Sequence, residues 1–562
     1  MQENILQQTI ITIMMLIELG EYEEAIQTAE ELAETLQQTE RKELEQIGKE
    51  ILAATHGTIA DKLVEIEEYS KAEKHFKEAI KILEELAKKK PGAYLPKLAM
   101  TYSSIAILYR KCGRYEEAEK QYKEAIRIRK ELTQKNPETY LPKLADTYNN
   151  IAVLYLKWRR FGEAEKYYLA AIRIYRELAE RNLEAYQPKL AIVYSGIAIL
   201  YEEWGKYEEA EKHYLEAIKI RKELAERNPE TYLPSLARTY INIASLCVGG
   251  GRFEQGEKYY REAIKIFGEL ADRDPEVWLP VLAMAYNDIA NLYGDWGRYE
   301  EAERYYEKAI KIRKELAEKN PEAYLSDLAD TYNNMANLYF RWKRYREAEK
   351  YYRKTIKIYK KLIEKKPEAY LPSLARTYNN IAILYRDWGR YGDAEKFFDL
   401  CGDTVLREPY VRFVDGNIRI LRPGIFDILI RYLYNYGRFV ARKSPLDAMR
   451  FFEYALVVLR DYSFGIRSPK DLAGFFVRFG EVAKAFVDVV SRAYEDSRDL
   501  GFLRRGVELI EELKFVPLLR DLASKVSSEY VSRLRSLEAE LSSLLSRPVS
   551  YTHLTLPTTE RV

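Results

Sequence analysis

Seven tyrosines, Tyr102, Tyr148, Tyr194, Tyr240, Tyr286, Tyr332 and Tyr378, recur at intervals of 46 residues, each followed three or four places later by an apolar residue and an alanine. Within one period, residues 142–187, the apolar side chains fall at spacings of three and four in two blocks, which predicts two amphipathic helices. The first is expected from about Pro142 to Trp158, with a proline in the first turn, where its missing N–H has no intrahelical partner. The second is expected from about Gly162 to Arg181 and stops at an Asn-Pro or similar step, as at Asn136-Pro137, Asn228-Pro229 and Asn320-Pro321. Between the helices, Gly113, Gly205, Gly251, Gly297 and Gly389 stand at the turn, where a left-handed residue ends a helix at low cost. Arg159 and Lys343 replace glycine in the other two periods.

Small residues indicate close packing. Ala106, Ala152, Ala198, Ala244, Ala290, Ala336 and Ala382 hold one position of the first helix without exception. Two further alanine positions, represented by Ala164 and Ala171, lie seven apart on the second helix and share a face. Aromatic residues such as Phe161 and Tyr168 fill the gaps between them. A fixed period without insertions means that each unit buries its apolar face only by stacking on its neighbours.

Tyr148, Ile151, Ala152, Tyr155, Phe161, Ala164, Tyr168 and Ala171 resemble the tetratricopeptide repeat pattern, lengthened by twelve residues per unit. The Asn-Asn pair before the apolar-Ala step is most similar to repeats of the kinesin-light-chain type. The resemblance implies an all-α fold, a right-handed α-solenoid of stacked antiparallel helix pairs, followed by irregular C-terminal helices. The expected divisions are a divergent N-terminal helix pair at 1–47, the repeat array at 48–404, a degenerate repeat with C-terminal helices at 405–548, and a foreign tail at 549–562.

The resemblance also implies that the first helices line a concave groove. The groove positions beside the apolar-Ala step hold Asn149, Asn150, Asn242, Asn287, Asn333, Asn334, Asn379 and Asn380. Amides spaced one repeat apart can donate to and accept from an extended peptide backbone. The alternative is that they hydrogen-bond between adjacent helices or face water. Phe340 and Arg386 stand one turn further on, with Lys157 and Arg341 nearby, so the expected partner carries patterned rather than uniformly acidic charge, and no carboxylate clamp is evident. A tryptophan row, Trp158, Trp204, Trp296, Trp342 and Trp388, shares the helical face of the core tyrosines, which favours packing over a docking strip.

Composition narrows the function further. The 90 Lys and Arg nearly balance the 88 Asp and Glu, which leaves no nucleic-acid footprint. The apolar run from Ile10 to Ile17 is too short to span a bilayer, and no membrane association is expected. Three scattered cysteines suit a reducing, cytoplasmic setting. His56, His75, His213 and His553 have no metal-ligand spacing, and no phosphate loop or nucleophile elbow is present, so neither cofactor nor catalysis is expected.

Beyond residue 405 the period breaks, while Ser444-Pro445 and Ser468-Pro469 signal helix starts. Tyr530, Leu534, Leu537, Leu541 and Leu544 form a short heptad seam. Residues 506–523 resemble the linker that follows tetratricopeptide arrays in caspase-like CHAT proteins. The expected function is a non-enzymatic scaffold that binds a protein or peptide partner; the alternative is the sensor arm of a larger CHAT-type protease.

Overall fold

The computed structural model describes residues 2–38, 42–406, 408, 410–414, 417–420, 425–463, 481–482, 484–486, 488–493, 495–496 and 505. The helices run α1 (Gln2–Leu19), α2 (Tyr22–Gln37), α3 (Lys42–Glu65), α4 (Tyr69–Lys89), α5 (Pro91–Lys111), α6 (Tyr115–Lys135), α7 (Pro137–Lys157), α8 (Phe161–Arg181), α9 (Leu183–Glu203) and α10 (Tyr207–Arg227). They continue as α11 (Pro229–Gly249), α12 (Phe253–Arg273), α13 (Pro275–Trp296), α14 (Tyr299–Lys319), α15 (Pro321–Arg341), α16 (Tyr345–Ile363), α17 (Pro367–Asp387) and α18 (Tyr391–Val405). A hairpin of β1 (Val411–Val414) and β2 (Asn417–Ile420) precedes α19 (Phe426–Val440) and α20 (Pro445–Ser463).

The first helix of each repeat starts five residues earlier than its sequence suggests: α7 begins at Pro137, and Pro142 lies inside it. Asn136 is the reason. It closes α6 and caps α7, its side-chain oxygen accepting from Thr139 N at 3.2 Å, so one residue separates the helices. Asn182, Asn228, Asp274 and Asn320 repeat this cap. The cap and the first-position proline set the start together; Pro142 then only omits one interior hydrogen bond.

The turn between paired helices needs one left-handed residue. Gly113, Gly205, Gly251, Gly297 and Gly389 have φ between 73° and 81°, and Arg159 (62°) and Lys343 (60°) adopt the same conformation. Glu67 does so at 64°, one period before Gly113, so the α3–α4 pair turns like its successors. Helix α3 crosses the expected division at residue 47 without a break.

The chain forms two compact units, 1–246 and 247–562. In the first, α5 packs on α6, α7 on α8 and α9 on α10, and each pair packs on the next through α6–α7 and α8–α9. In the second, α13–α14, α15–α16 and α17–α18 repeat the arrangement, with α19 against α17 and α18. Among the described residues, each unit is therefore a solenoid of stacked α-helix pairs, with one short hairpin in the second. All seven alanines of the invariant first-helix position are 0 % exposed, and no larger side chain fits there without displacing a neighbouring helix.

The hairpin is a departure from the helical expectation. Val411 pairs with Ile420 and Val414 with Asn417 in an antiparallel ladder. The cue in the sequence is Asp415-Gly416 between two alternating segments, a strong hairpin signal. Ser444 caps α20 as expected, its hydroxyl accepting from Asp447 N at 3.2 Å. The heptad seam, the segment resembling the CHAT linker and the tail at 549–562 lie outside the described residues.

Candidate binding face

The asparagine positions behave differently in the two units. In the second, Asn334 Nδ2 donates to Asn287 Oδ1 at 3.1 Å, Asn380 Nδ2 to Asn333 Oδ1 at 3.4 Å, and Asn435 Nδ2 to Asn379 Oδ1 at 3.5 Å. These bonds join successive first helices, from α13 to α19. Each bonded amide keeps one N–H and one acceptor lone pair. In the first unit, Asn149, Asn150 and Asn242 are half-buried and make no side-chain hydrogen bond among the described residues.

The remaining candidate residues are dispersed. Lys157 is exposed. Arg341 pairs with Asp295 at 2.7 Å, tying α15 to α13. Phe340 lies 6.3 Å from the Tyr345 ring, and Arg386, its side chain only 14 % exposed, pairs with the adjacent Asp387 at 2.7 Å. The neighbouring Asn291 and Asn337 accept from the buried Tyr306 and Tyr352 hydroxyls, so they fix the helices internally.

The tryptophans pack between repeats. Trp158 stacks on Tyr155 at 6.2 Å and meets Tyr115 of the preceding repeat at 6.0 Å, while the Arg160 guanidinium sits 4.8 Å from its ring. Trp342 and Trp388 repeat the contact with Tyr299 and Tyr345.

A polar latch that the sequence reading overlooked joins one second helix to the following repeat. Tyr109, Tyr155, Tyr201, Tyr293, Tyr339 and Tyr385 each donate to a glutamate 36 residues earlier: Glu73, Glu119, Glu165, Glu257, Glu303 and Glu349. A cation five residues after the tyrosine completes it, an arginine such as Arg114 on Glu73 at 2.6 Å or Arg390 on Glu349 at 3.2 Å in five cases, and Lys206 on Glu165 at 3.9 Å in the sixth. Burial works to raise the Glu73 pKa, but hydrogen bonds from Lys77, Arg114 and Tyr109 prevail and hold it at about 2. The signal was the constant spacing of 36 and 41 residues, which matches neither helical nor repeat periodicity alone.

Among the described residues, no cluster of three or more His, Cys, Asp or Glu is placed to hold a metal ion, and no helix is long and apolar enough to cross a membrane.

Residues 98–136 and 144–182 match one tetratricopeptide repeat family model, and residues 176–223, 235–315 and 327–401 match a second of the same description. The chain is a tetratricopeptide repeat protein. Among solved structures it is similar to BtubC (BKLC) from P. vanneervenii, at 25% identity and a TM-score of 0.35, over 42% of this chain and 87% of that one. It is also similar to aspartyl phosphate phosphatase F from Bacillus subtilis, at 18% identity and a TM-score of 0.40, over 74% of this chain and 96% of that one. A third is the STAND protein with a tetratricopeptide repeat sensor from Pyrococcus horikoshii, at 17% identity and a TM-score of 0.41, over 68% and 53% of the two chains. No curated protein matches.

Proposed function

We propose that the protein is a non-enzymatic interaction scaffold that holds an extended peptide or partner helix along its first-helix face, where this fold presents a groove. The observation that carries this reading is the line of half-buried Asn149, Asn150 and Asn242 side chains, whose amides have no hydrogen-bond partner among the described residues. Asparagine is a mediocre helix former, and an amide that no protein group engages keeps its donors and acceptor available to an incoming partner. Exposed Ile199 at 38 % and half-buried Val153 and Leu156 provide apolar contact beside the amides. Affinity would then come from many small contacts along several repeats.

The test is partner capture by the full chain carrying Asn150→Ala and Asn242→Ala, compared with wild type and with Lys120→Ala, an exposed substitution on the second helix α6. The expected result is reduced recovery with the double variant alone. Equal recovery from all three would remove the amide line from the binding surface.

A further inference from the structure

One position of the second helix is occupied every 46 residues by Arg129, Tyr175, Arg221, Phe267, Arg313 and Tyr359, so guanidinium and aromatic ring alternate. Each of the three arginines donates to a threonine in the first helix of the following repeat, but the second acceptor of Arg221 lies on the first helix of its own repeat, α9. Arg129 Nη1 donates to Thr147 Oγ1 and, at 3.0 Å, to Lys143 O. Arg313 Nη1 donates to Thr331 Oγ1 and, at 2.9 Å, to Asp327 O. Arg221 Nη1 donates to Thr239 Oγ1 and, at 2.7 Å, to Ser195 Oγ.

Their electrostatic surroundings differ. Burial lowers the pKa of Arg129 against the opposing charge of Asp146, and that of Arg313 against Asp327, Asp330 and Asp288. The residues at those three places around Arg221 are Ser235, Arg238 and Gly196, so every carboxylate is gone and one cation is added. Position 196 has no space for a replacement acid, because a Cβ there would fall 2.8 Å from Tyr168 Cε1. Arg221 is 9 % exposed and forms no ion pair among the described residues. Burial pulls its pKa down to about 10, with no neighbouring charge opposing the shift. The same position accepts a neutral aromatic ring in alternate repeats, so a buried, uncompensated guanidinium is not required for packing. Its hydroxyl partner Ser195 occupies the position that Asn149 holds one repeat earlier, which places the Arg221 guanidinium beside the amide line.

Building on the scaffold reading above, we propose that Arg221 anchors a carboxylate of the bound polypeptide, an Asp or Glu side chain received by its Nε and Nη2 donors. Arginine suits this role because its planar fork matches both carboxylate oxygens. Nη1 is already held by Ser195 and Thr239, so the fork is oriented before the partner arrives.

The test uses sodium glutarate as the carboxylate probe and sodium phosphate as a second anion, each against sodium chloride at equal ionic strength. The full chain is melted as wild type, Arg221→Met and Arg313→Met. Glutarate should raise the Tm saturably in wild type and in Arg313→Met, and leave Arg221→Met unchanged. An equal response in all three, or none in wild type, overturns the proposal, as does a rise with phosphate and none with glutarate. If Arg221→Met does not fold, the Nε–Hε resonance that disappears in Arg221→Lys should shift saturably as glutarate is titrated into wild type; a static resonance overturns the proposal. These readouts need no partner, so they succeed or fail independently of capture by the Asn150→Ala, Asn242→Ala variant.

Discussion

Tyr155 of α7 donates its hydroxyl to Glu119 of α6 at 2.6 Å, joining two repeats through a bond between residues 36 apart. The Tyr155 ring is 2 % exposed and stacked on Trp158, so the latch is anchored in the aromatic layer rather than on the surface. Removal of the hydroxyl by Tyr155→Phe keeps the ring and its stacking. The acceptor is a carboxylate, so the expected cost is about 1.5–3 kcal/mol in urea-induced unfolding. A midpoint identical to wild type would show that Glu119 is satisfied without the tyrosine.

Lys343 holds the left-handed turn at φ 60°, where five other repeats use glycine. It is exposed and makes no ion pair among the described residues, so its backbone conformation can be tested without losing a contact. Lys343→Gly should stabilise the second unit by up to about 1 kcal/mol, because the left-handed strain of an L-residue exceeds the extra chain entropy of glycine. Thermal melting against wild type measures this; a lower Tm would mean that the turn is not strained.

His56 Nδ1 and His75 Nδ1 lie 3.0 Å apart, so one ring donates, the other accepts, and the pair holds one proton between these atoms. Burial lowers the His56 pKa, with Glu78 opposing; burial lowers that of His75 too, reinforced by His56 and Lys74. Since both folded pKa values lie below the ordinary 6.5, the unfolded chain takes up protons first as the pH falls, and stability declines below about pH 6.5. Each histidine contributes at most about 1.4 kcal/mol per pH unit. His213, also lowered by burial, adds the same sign. The double variant His56→Phe, His75→Phe should lose less stability than wild type between pH 7.5 and 5.5, with His213 accounting for part of the remainder. Parallel pH profiles in urea titrations would rule the pair out as a source of acid sensitivity.

The histidine pair also shows how far the sequence could be read. His56 and His75 stand two periods before Tyr148 and Tyr167, whose tilted rings lie 5.6 Å apart, and the histidine rings meet at 5.3 Å. Register alone therefore located a ring–ring contact, whereas the shared proton depends on ring orientations that no spacing encodes. The asparagines follow the same division. Their recurrence marked a polar line, but the bonds from Asn334 to Asn287 and from Asn380 to Asn333 depend on how closely successive first helices approach.

By itself the sequence determined the repeat, the paired helices, the buried alanines and the glycine turns, because each arises from residues within one period and from the faces that a 3.6-residue helix must present. Tertiary structure decided which polar groups satisfy one another, which asparagines remain open, and that Arg221 lacks the carboxylates surrounding Arg313. Those outcomes depend on distances between side chains 18 to 56 residues apart, and hydrogen bonds and charges respond to differences of about 1 Å that a hydrophobic pattern does not specify.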